Sequence, residues 1–231
     1  MNTTPVVTVS HFSDVLCIWA YIAQIRVDEL KNQFGKQIDI QYHFLPVFGA
    51  VDSMMETNWK SKGGLSAYNK HVVGVASGFD HVEVHKDVWL SNKPTTSISS
   101  HLFLKAIQLA ESQNELTRLE TGKTVLETFA WELRLAFFRD LKNISNGDVQ
   151  IEIAEQLNLP IDKILNKIQS GEAHAAMDID SQLKEEYQIS GSPTFIFNEG
   201  RQKIYGNVGY RVIEANVREL INQPGSQASW C

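Results

Sequence analysis

Residues 13–21 read SDVLCIWAY. The stretch decides the fold because two patterns meet in it. Ahead of it, VVTVSHF (6–12) alternates and is rich in β-branched residues, which suits a strand. Behind it, Ile18, Ile22, Ile25 and Leu30 recur at helical spacing as far as Phe34, and Gly35 supplies the stop. Cys17 therefore sits where a strand hands over to a helix. It is one of only two cysteines in 231 residues, with tryptophan and alanine following it and no second cysteine nearby.

Reading outward, QIDIQYHFL (37–45) alternates again, with Ile38, Ile40, Tyr42 and Phe44 on one side, and Pro46 ends it. Two strands joined by a helix imply a parallel pair with a right-handed crossover. From about 50 to 187 the pattern is nearly all helical. GGLSAYNKHVVGVASGF is a short helix or a lid-like loop, while Ser97–Ser112 and Lys123–Asp140 are helices. NGDVQIEIAEQLNL has Asn146 as its N-cap, and PIDKILNKI follows. Trp131, Phe137 and Phe138 read as core. Then SPTFIFNEGRQKIYG (192–206) is a strand, an Asn-Glu-Gly turn and a strand, and Tyr210–Asn222 is a closing helix stopped by Pro224. The order is β-α-β, a helical block, β-β-α. Neither three-element piece covers both faces of a sheet by itself, so the two belong together.

Composition narrows the function. Hydrophobic residues make up 43% and charged residues 21%, ordinary for a globular protein. A net charge of -6 with no basic cluster argues against nucleic-acid binding, which draws its affinity from Lys and Arg on phosphates. No apolar run approaches the roughly 18 residues of a membrane span, and MNTTPVVTVSHF has no signal-peptide pattern, so a cytoplasmic protein with no membrane association is expected. Two cysteines build neither a disulfide framework nor a cysteine-only metal site.

A cysteine at a helix N-terminus faces unpaired N–H groups and the positive end of the helix dipole, which favours thiolate over thiol. Ser192-Pro193 opens a strand where proline withholds a ladder donor and can adopt the cis isomer. The residues Asp14-Val15-Leu16-Cys17-Ile18-Trp19-Ala20-Tyr21, Gly191-Ser192-Pro193-Thr194-Phe195 and Ile204-Tyr205-Gly206, in this order of elements, resemble the DsbA-like branch of the thioredoxin superfamily. The likeness extends over essentially the whole chain. It is strongest to the FrnE-like oxidoreductases, 2-hydroxychromene-2-carboxylate isomerases and kappa-class glutathione transferases. It implies an α/β, thioredoxin-like fold with an all-helical domain inserted between the β-α-β and β-β-α halves: 1–49 with 188–231 as the thioredoxin-like domain and 50–187 as the insert. It also implies a small-molecule thiol or disulfide substrate, glutathione as a cofactor, and a homodimer as one expected assembly.

Oxidoreductases of the family carry Cys-x-x-Cys, and the isomerases and transferases place serine at the first position. This chain keeps the nucleophile and has Ala20 for the resolver. Four readings follow: a monothiol oxidoreductase working through Cys17; a glutathione-dependent isomerase or transferase in which Cys17 orients glutathione; resolution by Cys231 from the tail, which ~30 Å of extended chain beyond Asn222 would permit; and a non-enzymatic small-ligand or peptide binder. Cys17 is the expected catalytic residue. Trp19, Ser192, Pro193 and Asn207 are the expected substrate-binding residues, with Ser192's backbone able to pair with a bound tripeptide as an added strand. Family members with a glutathione site follow the hairpin with Gly-x-Asp, whereas here Gly206-Asn207 leads to Val208.

Asp14 either orients a ligand or caps the loop, and its charge would raise the thiol pKa. Thr96 and Ser97 open a helix, as caps or as an anion-binding end. His71, His81 and His85, near Asp80, Glu83 and Asp87, suggest a metal site only if 81–85 is helical. Val82 and Val84 argue for a loop instead, and no metal is expected.

Overall fold

The structure is a computed structural model, and residues 6–117, 119 and 122–222 are described. The alternating opening forms β1 (Val7–Ser13), and the handover at Cys17 starts α1 (Ile18–Phe34), which Gly35 ends at φ 51°. β2 (Ile38–Phe44) follows. Among the described residues, only helices and loops lie between β2 and the next strand: α2 (Val51–Asn58), α3 (Gly64–Ala76), α4 (Ile98–Ser112), α5 (Val125–Phe138), α6 (Gly147–Gln156), α7 (Ile161–Gln169) and α8 (Glu172–Glu186). The chain returns to the sheet with β3 (Thr194–Phe197) and β4 (Gln202–Tyr205), and α9 (Tyr210–Ile221) closes it. Asn198, Glu199 and Gly200 in the hairpin turn all have positive φ, the left-handed region that Asn and Gly tolerate best.

The sheet order is β2-β1-β3-β4, with β1 and β2 parallel and the other pairs antiparallel. This is the expected mixed α/β arrangement. One face packs Val7, Val9, Phe195 and Phe197 against Val27 and Leu30 of α1 and Ile213 and Val217 of α9. On the other face, Phe12, Leu45, Ile189 and Ile196 meet Leu183 and Tyr187 from α8 and the turn after it. A third and larger cluster runs from Cys17, Ile18, Tyr21 and Ile22 into Trp89, Phe103, Phe129, Phe137 and Phe138. The first turns of α1 are thus shared with the helical block rather than reserved for the sheet. Phe137 and Phe138 are fully buried, as read, while Trp131 packs only partly buried against the same cluster.

The stretch 64–76 is a helix, although two glycines lead it. α2 gives no clear apolar period and is seen only in the structure. In β2 the alternation breaks at His43, which is buried because its Nδ1 lies 2.7 Å from Asp180 Oδ1 and its ring stacks on Phe12. Lys105 Nζ lies 2.7 Å from Asp180 Oδ2, so a buried Lys–Asp–His set ties α4, α8 and β2 together. α5 starts with a capping box in which Thr124 and Glu127 satisfy each other's backbone N–H groups. No described helix is long and apolar enough to cross a membrane.

Candidate active site

β1 and β3 are antiparallel and pair Phe12 with Thr194. Pro193 and Ser192 therefore run on past the end of β1, beside the turn that carries Cys17. The Ser192–Pro193 peptide bond is cis. Cys17 is the N-cap residue of α1, with φ -81° and ψ 115°, and its thiol donates to the Ser192 carbonyl at 3.3 Å. A carbonyl only accepts, so this bond belongs to the protonated thiol and is lost by a thiolate. Ser192 Oγ accepts from the Asp14 N–H at 2.9 Å, and Gly206 N–H donates to the Pro193 carbonyl at 2.9 Å. The turn, the strand opening and the hairpin end are stitched together by these bonds.

The electrostatics run against a resting thiolate. Cys17 is 6% exposed, and burial pushes its thiol above its ordinary value. The Ser192 side chain and the backbone N–H groups of Ala20 and Trp19 pull the other way, while the Asp14 charge adds to the rise. The helix N-terminus acts in the expected direction and is outweighed by desolvation. Tyr68 of α3, buried against the same cluster, has its hydroxyl pKa raised by burial and then by the nearness of Cys17 and Asp14.

Asp14 is fully buried and is the hub of the turn. Its Oδ1 accepts from Leu16 N–H at 2.9 Å. Its Oδ2 accepts from Phe48 N–H at 2.9 Å and from the Ser97 hydroxyl at 2.8 Å. His101 Nε2 lies 3.6 Å from Oδ1, yet it accepts the Val15 N–H at 3.3 Å and so carries no proton. Burial, opposed by Asp14, keeps that imidazole's pKa low, and the contact is between an ion and a neutral ring. Asp14 thus joins the cysteine turn to the β2–α2 loop and to the start of α4.

The remaining candidates fall around this hub or away from it. Ser97 spends its hydroxyl on Asp14 rather than capping α4. Thr96 Oγ1 donates to Gly49 O at 2.7 Å and accepts Ile98 N–H at 3.0 Å, a local helix start. Trp19 is half-buried and meets Phe79 edge-on at 6.5 Å. Asn207 is half-buried, and its Oδ1 has no hydrogen-bond partner. Val208 packs partly buried on the α1/α9 cluster, so an apolar residue there serves the core. His81 donates Nε2–H to Ile22 O at 2.9 Å, and the His71 ring lies tilted against Trp59 at 5.4 Å. Among the described residues no group of three or more His, Cys, Asp or Glu could hold a metal ion. Cys231 lies outside the described residues. Sequence reading missed Phe48, Tyr68 and His101, which have ordinary core signatures and meet the site only through the tertiary fold.

The chain is 24% identical over 216 residues to the ClpXP adapter protein SpxH of Halalkalibacterium halodurans, and equally to that of Bacillus subtilis; the match covers 91% of this chain and 66% of those proteins, just under two thirds of their length. Among solved structures, a probable DsbA oxidoreductase from Streptomyces coelicolor superposes with a TM-score of 0.69 at 12% identity, covering 97% of this chain and 94% of that one. The cytosolic disulfide reductase DsbM from Pseudomonas aeruginosa with GSH gives 0.62 at 17%, covering 91% and 99%. A 2-hydroxychromene-2-carboxylate isomerase gives 0.63 at 15%, covering 96% and 100%. These structural likenesses show a shared fold. The DSBA-like thioredoxin domain matches residues 8–218, and the chain belongs to that family.

Proposed function

We propose that the chain is a single-cysteine thiol–disulfide oxidoreductase with Cys17 as its nucleophile. The observation that carries the reading is Cys17 Sγ at the N-cap of α1, 3.3 Å from the Ser192 carbonyl beside Pro193. A substrate backbone that pairs with Ser192 takes the carbonyl away from the thiol. The thiol bond that favours protonation is then gone, and the N–H groups at the start of α1 are left to stabilise the thiolate.

The thiolate attacks one sulfur of a substrate disulfide R–S–S–R′, forming Cys17–S–S–R and expelling R′–S⁻. Ala20 offers no second thiol, so the mixed disulfide waits for an external one. Glutathione serves here: its thiolate attacks the R sulfur, forms R–S–S–G and returns Cys17 as thiolate. The net exchange is R–S–S–R′ with GSH giving R–S–S–G and R′–SH. The DsbM structure with GSH supports glutathione as this partner. In this reading Trp19 and Asn207 contact the substrate, and residues 50–187 are the insert that covers it.

The test is turnover of a small aliphatic disulfide with reduced glutathione. Activity that survives Cys231→Ser and is lost in Cys17→Ser supports the reading; equal rates in Cys17→Ser and the native chain refute it. A second reading, a protein-binding role without turnover, is favoured by the burial of Cys17 and by the similarity to proteins named as ClpXP adapters. It would be supported by a folded chain that turns over none of these substrates.

A further inference from the structure

Behind the cysteine turn, between β1, β2, α1 and α5, lies a narrow cavity of about 20 Å³ lined by His11, Ser13, Gln24, Tyr42, Glu127 and Arg134, with three apolar residues. Its polar lining is poorly satisfied. His11 is 1% exposed and neither ring nitrogen has a hydrogen-bond partner; Arg134 is 3% exposed and its Nε has none. Arg134 Nη1 donates to Gln24 Oε1 at 2.7 Å, and Gln24 Nε2 donates to Asp28 Oδ1 at 3.0 Å. Among the described residues, the buried guanidinium is therefore joined to a carboxylate only through an amide. Glu127, two turns before Arg134 on α5, is held by Lys31 and by the Tyr42 hydroxyl, each at 2.5 Å.

Unpaired polar groups at this depth are costly. A water molecule needs roughly 10–15 Å³ and two to four polar partners, and the cavity provides both. Its size fits one such molecule. An anion there would face the Glu127 carboxylate, and a cation would face Arg134. A neutral molecule that both accepts and donates meets neither objection.

We propose that this cavity binds one ordered water, which accepts the Arg134 Nε–H and donates to the unprotonated ring nitrogen of His11. The water pins β1, the strand that delivers Cys17, to α5 of the helical block. His11 and Arg134 then act as a coupled pair without touching.

Two experiments decide it. In a crystal structure of the full chain at about 1.5 Å or better, a solvent peak stands within hydrogen-bonding distance of Arg134 Nε and a His11 nitrogen; an empty cavity overturns the proposal. In a thermal double-mutant cycle at pH 7.5 with His11→Phe, Arg134→Met and the double variant, the combined fall in Tm is smaller than the sum of the single falls by about 2 °C or more. Additive changes overturn the proposal.

Discussion

Replacing Asp14 by Asn removes one charge and one acceptor at the point where three parts of the chain meet. The native carboxylate takes Leu16 N–H on Oδ1, and Phe48 N–H with the Ser97 hydroxyl on Oδ2. An asparagine has a single side-chain oxygen, so its NH₂ group must face one of the two backbone N–H groups whichever way the amide is turned. Ser97 can rotate to accept; a backbone N–H cannot. One buried donor is left unpaired, at about 1–3 kcal/mol, and the surviving bonds lose their charge assistance. A total near 3 kcal/mol lowers Tm by about 6–12 °C for a chain of this size. The thiol responds in the opposite sense. Asp14 contributes to the raised pKa of Cys17, so Asn moves the thiol back down. Thermal unfolding followed by circular dichroism reads the first effect. The midpoint of the Cys17 alkylation profile against pH, taken at about 20 °C in a Cys231→Ser background, reads the second. A Tm within about 2 °C of the native value, or a thiol midpoint unchanged or higher, refutes the reasoning.

Three further outcomes follow from His11, Lys105 and the cap of α5. Burial first, then Arg134 and His43, lowers the His11 pKa from 6.5 to about 3. The unfolded chain therefore binds the extra proton between those values, and stability falls as pH drops from 6.5 towards 3, by up to about 5 kcal/mol from this residue; His11→Phe should flatten that acid limb in urea titrations, and an unchanged limb contradicts the assignment. Lys105→Met strands Asp180 beside His43 in the interior and should cost about 3–5 kcal/mol, checked by chemical denaturation, with a loss under about 1 kcal/mol as the contrary result. Thr124→Ala breaks the capping box of α5 and should cost about 0.5–2 kcal/mol in the same assay.

The order of elements was legible because each has a local cause. β1 and α1 announce themselves by a switch of apolar period, Gly35 ends the helix, and Asn198-Glu199-Gly200 turns the hairpin. The site was legible only where it is local. Cys17 and Ser192-Pro193 stand out because a strand–helix junction and a strand-opening proline are sequence features. Their meeting depends on the antiparallel register of Phe12 with Thr194. The role of Asp14 was not legible, since two of its donors, Phe48 and Ser97, lie 34 and 83 residues away. The thiol's electrostatics were misjudged for the same reason: a helix N-terminus is visible in the sequence, whereas the burial that desolvates Cys17 is set by tertiary packing. His43 broke the strand alternation because Asp180, 137 residues on, supplies the partner that lets it be buried.

The central claim is that Cys17 exchanges with disulfides from within the native fold, despite a resting thiol held against Ser192. Its most direct test is intact-mass measurement of the Cys231→Ser variant incubated with oxidised glutathione across pH 6–10, with the fold monitored in parallel. The account expects one glutathionyl adduct per chain, mapped to Cys17 and reversed by reduced glutathione. Its rate of formation should keep rising up to about pH 9 without an earlier plateau. An adduct that forms only when the chain is unfolded would contradict it.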